Sequence, residues 1–189
     1  MKSLKKIWLV VGAVLFVLAL GLISFYNNLV SKTQAIDNQW AQVETQYQRR
    51  FDLIPNLVKS VEGIMKQEQE VFSQLAEART RYSGAATVEE KVNAAARVES
   101  ALGRLLVVME NYPELRSSEN VTQLMDELAG TENRIATERR RYNDVVRDYN
   151  ITIKRFPANL IAGVFGFSER SFFESVEGAD VAPEVEINP

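Results

Sequence analysis

The stretch QRRFDLIPNLV, residues 48–58, decides how the chain must fold. Arg49, Arg50, Asp52 and Pro55 interrupt an otherwise apolar helical pattern there. A proline inside a helix removes one hydrogen bond and crowds the preceding turn. Either the helix breaks at Pro55 and residues 29–54 fold back as a separate element, or one long helix kinks and continues. The repeat on both sides favours the second reading. Leu29, Ile36, Val43, Arg50, Leu57, Ile64, Val71 and Ala78 recur at every seventh position, with Thr33, Trp40, Tyr47, Ile54, Val61, Glu68, Leu75 and Tyr82 as the companion row. A register that survives passage through Pro55 predicts one helix over 29–82, kinked at the proline.

Toward the C-terminus, SGAAT at 83–87 reads as a turn, and Thr87 with Glu90 three residues later forms a capping box. That box opens a helix over 87–111, which Asn111-Tyr112-Pro113 ends because the residue before proline leaves helical space. A third helix over 117–156 is capped by Ser117 or Ser118 and carries the repeat Val121, Leu128, Ile135, Tyr142, Tyr149, Phe156. Strand-length alternation is missing from the sequence, so the fold class is all-α: an elongated antiparallel three- to four-helix bundle of coiled-coil type.

Toward the N-terminus, the basic tip MKSLKK (1–6) precedes IWLVVGAVLFVLALGLISFY (7–26). At 1.5 Å per residue this run matches a hydrocarbon core of about 30 Å, giving a transmembrane helix over 7–28. A cleaved signal peptide is the competing reading, but the apolar run exceeds a normal signal core and leads directly into helical pattern. Lys2, Lys5 and Lys6 precede the span and Lys32 follows it, which places the N-terminus in the cytoplasm and the bulk outside. The layout is therefore tip 1–6, span 7–28, bundle 29–167 and acidic tail 168–189.

Composition excludes much chemistry. The 189 residues contain neither Cys nor His, which removes thiolate nucleophiles, Ser/His/Asp triads, Cys/His zinc sites and disulfides. A formal charge of −3 with lysines and arginines dispersed among acids does not suit nucleic acid. The sequence offers no phosphate loop, catalytic pair or cofactor motif, so catalytic, cofactor and metal residues are all expected to be none.

Polar residues on the seams carry the remaining expectations. Simple register gathers Glu68, Glu99 and Glu132 into one layer with Arg139 or Arg134 as neutraliser. A di-iron site would need Glu-x-x-His pairs, so this layer is read as a salt network. The same register sets Arg50 level with Glu114, making Arg49, Arg50, Asp52, Pro55 and Glu114 a polar junction. Its arginines either hold the Tyr112–Leu115 turn or receive a partner's acidic group. Helix 87–111 is only about 37 Å long and covers the first helix back to about residue 57. That leaves Ile36, Trp40, Val43 and Tyr47 as a stalk seam without an intrachain partner, which predicts homo-oligomerisation. NLIAGVFGF (159–167) is too short to span a bilayer and has three placements: capping the bundle, grazing the membrane or seating in another subunit. On the last of these, Phe165 and Phe167 join the oligomer interface. The tail GADVAPEVEINP is either disordered or an added edge strand or clasp.

Several blocks occur together in a distinctive order: Tyr26-Asn27-Asn28-Leu29-Val30, RRFDLIPNLV, Glu110-Asn111-Tyr112-Pro113-Glu114-Leu115, Thr131-Glu132-Asn133-Arg134-Ile135-Ala136, Arg140-Arg141-Tyr142-Asn143, Tyr149-Asn150 and Phe156-Pro157. In these blocks the chain resembles the LemA family over nearly all of residues 26–167. The resemblance implies a bacterial single-pass membrane protein with a helical domain and supplies no catalytic residue. It also implies a bulk domain in the cytoplasm, opposite to the lysine distribution. The resulting expectation is a non-enzymatic, self-assembling scaffold in the bacterial inner membrane, its partners the lipid bilayer, further copies of itself and an unknown membrane or envelope protein. The alternative is a regulatory adaptor of a membrane protease or signalling system; an enzyme ranks third.

Overall fold

The computed structural model describes residues 2–116 and 118–173, with side chains over 6–115 and 118–173. Residues 174–189 of the acidic tail, the cap at Ser117 and the side chains of Lys2 and Lys5 lie outside the described residues. Among those residues every element is helical: α1 (Lys2–Glu62), α2 (Gln69–Gly84), α3 (Val88–Met109), α4 (Pro113–Arg116), α5 (Glu119–Lys154) and α6 (Ala158–Phe165).

The apolar run and the heptad seam are parts of one element, α1, and Pro55 lies inside it. The seam is buried as its spacing requires: Leu29, Ile36, Trp40, Val43, Tyr47, Ile54, Leu57 and Val61 all lie in the core. The predicted continuation to residue 82 fails at Gly63, where α1 stops and residues 63–68 form a turn. Ile64 and Met65 N–H groups still donate to Val61 O at 3.0 and 2.9 Å, closing the last turn of α1. Glycine is a weak helix former, and Met65 then fills the bend with a fully buried side chain. The chain therefore reverses after Gly63, not at Pro55, and Leu75, Ala78 and Tyr82 are buried from a second helix.

Two compact units divide the chain. The larger is built on Val43–Thr137 and is a four-helix arrangement. Tyr82 of α2 packs against Tyr47 and Phe51 of α1, with ring centroids 5.5 and 4.4 Å apart, so α2 runs back along α1. Its partner α3 starts from the capping box: Glu90 N–H donates to Thr87 Oγ1 at 3.1 Å and Thr87 N–H to Glu90 Oε2 at 3.2 Å. Backbone N–H groups of Ala86 and Thr87 hold the Glu90 carboxyl below its usual range. Ala94, Ala95 and Ala101 are buried on α3 and, having little bulk, let it approach its neighbours closely. Lys91 pairs with Glu44 and Glu99 lies 4.0 Å from Arg50, which makes α3 parallel to α1. On α5, Val121, Leu128 and Ile135 close this core at the predicted interval.

The second unit contains the segment ending at Gln42 together with Glu138–Phe172. Lys32 pairs with Asp148, Gln39 Nε2 donates to Glu138 Oε2 at 2.7 Å, and Trp40 meets Tyr142 edge-on at 5.8 Å. These pairs run α5 antiparallel along α1. At 36 residues α5 is about 54 Å long, and it covers the seam that the shorter α3 cannot reach. Gly166, at φ +74°, ends α6 in a left-handed conformation suited to glycine, and Phe167 N–H donates to Ala162 O at 2.9 Å.

After that turn the chain is strapped back onto α5. Asn150 Nδ2 donates to Arg170 O at 2.8 Å while Arg170 N–H donates to Asn150 Oδ1 at 3.0 Å, and Tyr149 Oη donates to Ser168 O at 3.0 Å. Asn150 is buried, so one side chain satisfies both backbone polar groups of Arg170, a residue that has no helix to do so. Asn150→Ala is expected to cost about 2 kcal/mol locally. The readout is amide exchange: faster at Arg170 with α5 unchanged supports the clasp, and unchanged exchange at Arg170 rejects it.

Candidate functional site

Arg50 occupies a seam position between Val43 and Leu57, so helical geometry forces its side chain inward. It is 3% exposed. A buried guanidinium requires acceptors, and two neighbouring helices supply them: Glu132 of α5 pairs with it, and Glu99 of α3 lies 4.0 Å away. The glutamate side chains retain 44% and 31% exposure, so the cluster is dry at the arginine and wet at the carboxylates. One cation thus ties α1, α3 and α5 at a single level. Such a cluster can fix helix register.

Arg50 was expected opposite Glu114, and the structure corrects this. With α3 parallel to α1 and Glu99 level with Arg50, the end of α3 at Met109 lies about 15 Å further along. Glu114 is exposed on α4, past that end. The polar layer is also recomposed. Glu99 and Glu132 belong to it as expected, but Glu68 sits just before α2, where Tyr112 Oη donates to its Oε1 at 3.2 Å. Arg139, half-buried on α5, belongs to the other unit, and Arg134 is exposed; Arg50 is the cation of the layer instead.

Arg49 points outward and lines an open groove with Gln123, Asp126, Glu127 and Arg134. Asp52 is exposed and accepts from Gln48 Nε2 at 2.9 Å. A further groove between α2 and α3 is lined by Arg81, Arg97 and Arg104, where Arg81 and then Arg97 hold the Glu77 carboxyl below its usual range. No group of three or more metal-ligating residues occurs among the described residues.

The expected oligomer seam is occupied by the protein's own chain. Ile36, Trp40, Val43 and Tyr47 are buried, Trp40 against Tyr142 and Tyr47 against Phe51 and Tyr82. The cover over Trp40 comes from α5, not from the second helix of the sequence-based layout. Phe165 and Phe167 pack on Tyr26, at ring distances of 5.1 and 5.8 Å. The clasp of Tyr149 and Asn150 onto residues 168–171 had no periodic signal. Its only trace in the sequence is the Tyr149-Asn150 pair within the family blocks.

Similarity to known proteins agrees with these blocks. The LemA family model matches residues 39–187. Magnetosome protein MamQ 2 of Paramagnetospirillum magneticum is 29% identical over 82% of this chain, which spans 66% of that relative's length. Magnetosome protein MamQ of Magnetospirillum gryphiswaldense is 24% identical over 85% of this chain and 70% of its own. Protein LemA of Metamycoplasma hominis is 24% identical over 86% of this chain and 77% of its own. The matched region contains Arg50, Glu99 and Glu132, and the chain belongs to the LemA family.

Proposed function

We propose that this protein is a membrane-anchored, non-enzymatic scaffold that self-assembles and presents its helical domain to other proteins at the bacterial inner membrane. The observation that carries the reading is α1 itself. Its N-terminal part is long and apolar enough to cross a membrane and is wholly exposed, and the same helix continues to Glu62 as the spine of the folded core. An anchor that continues directly as a helix of the folded domain suits a device that holds partners at the membrane. Relatives named after a cellular structure, the magnetosome, fit such a role. The lysine distribution favours a cytoplasmic N-terminus with the bulk outside.

The regulatory adaptor is the second reading, and one observation favours it: the α1 seam is satisfied within the chain, so assembly must use another surface. Full-length protein in mild detergent or nanodiscs, viewed by cryo-electron microscopy, separates the two. A closed symmetric assembly is the expected result. A monomer at every concentration overturns self-assembly and favours the adaptor.

A further inference from the structure

We propose that α6 is a lipid-facing foot, whose outer apolar stripe lies in the interface of the bilayer that α1 crosses; this rests on the anchoring reading above. On α6 the stripe is Leu160 and Val164, spaced four apart, with Phe165 beside it and Phe156 exposed just ahead of the helix. In the order Phe156, Leu160, Val164, Phe165 their exposures are 80, 62, 81 and 54%. The opposite face, Ala158, Ile161 and Ala162, is buried. The helix is therefore apolar on both sides, and the inner side alone is covered among the described residues. An apolar stripe in water is unfavourable, and a stripe of this kind marks a surface that meets another phase or partner.

Position identifies the occupant. In the antiparallel pairing of α1 and α5, Lys32 faces Asp148. Lys154, the last residue of α5, is as far beyond Asp148 as Tyr26 is before Lys32, so α5 ends about level with Tyr26. Tyr26 closes the apolar run of α1, and the rings of Phe165 and Phe167 rest directly on it. The turn containing α6 thus sits where the bilayer surface must be if α1 spans. Aromatic rings collect at that level, and an amphipathic segment buries its apolar face about 5–10 Å into the boundary between headgroups and acyl chains. Arg155, exposed and adjacent to Phe156, places a cation among the lipid phosphates. A second copy of the chain would also cover apolar surface, but nothing in its chemistry would select this level.

The chain has no cysteine, so single-cysteine variants of the full-length protein can carry an environment-sensitive fluorophore without background. Val164→Cys, Val14→Cys within the span and Ala41→Cys on the exposed side of α1 are labelled and reconstituted in phosphatidylcholine vesicles containing phosphatidylglycerol. Quenching is read with lipid nitroxides at a shallow and at a deep acyl position and with aqueous iodide. The foot predicts lipid quenching at 164 roughly threefold or more above that at 41, with 14 also quenched by lipid. Quenching at 14 by lipid but at 164 only by iodide overturns the foot and leaves the anchor intact. Quenching at 14 by lipid but at 164 by neither reagent assigns the stripe to a protein contact and likewise overturns it. Failure of lipid to quench at 14 overturns the anchor and the foot together.

Discussion

Arg50→Ala is expected to lower the unfolding free energy by about 3 kcal/mol, or the melting temperature by about 8 °C for a domain of this size. The side chain is buried, and its guanidinium is the cation shared by Glu99 and Glu132. Removing it leaves two carboxylates facing each other across the space it filled. Breaking a fully buried pair typically costs about 3–5 kcal/mol, and the partial exposure of both glutamates, which lets water return to them, puts this case at the lower end. The lost packing of the arginine stem adds to the cost. Glu132→Gln keeps a neutral acceptor for the guanidinium and should cost about 1 kcal/mol. Far-UV circular dichroism of the full-length protein in detergent, melted with and without each substitution, reads both. An Arg50→Ala variant that melts with the wild type would mean that the cluster serves something other than its own fold.

That prediction keeps the residue the sequence singles out and changes its partner, which indicates where sequence reasoning works on this chain. A seven-residue repeat identifies which side chains face inward within a helix, because it needs only helix geometry; Leu29, Ile36, Val43, Leu57, Val121, Leu128 and Ile135 are all buried, whereas Ile64 and Phe156, which fall just past the ends of α1 and α5, are 41 and 80% exposed. Levels along the bundle are a different matter, since they depend on where each helix stops. The turn at residues 63–68 preserves the spacing of the seam, so Val61 and Leu75 look continuous though they lie on different helices. Placing the reversal at 83–87 alone then shifted the partner of Arg50 from Glu132 to Glu114. The capping box at Thr87 was legible because its chemistry is local. The clasp by Asn150 was not, because it binds backbone, and backbone has no side-chain pattern to read.

Tyr47→Ala is expected to be more damaging, at about 4 kcal/mol. The side chain is 1% exposed, and its ring lies 5.5 Å from Tyr82 and 6.1 Å from Phe51, which themselves meet at 4.4 Å. Truncation removes one ring of a cluster that joins α1 to α2 and leaves a void that stiff neighbouring helices cannot close. The two roles considered for this seam predict opposite results. If Tyr47 met another subunit, its removal would change the number of subunits and leave the melting of a single chain almost untouched. If it closes the core of its own chain, melting drops while any assembly that survives keeps its stoichiometry. Combining Tyr47→Ala with Tyr82→Ala sharpens the test, because rings in contact share their loss: the double variant should fall short of the sum of the two by about 1 kcal/mol. Strict additivity would place the two tyrosines in separate environments and reject the packing of α2 along α1.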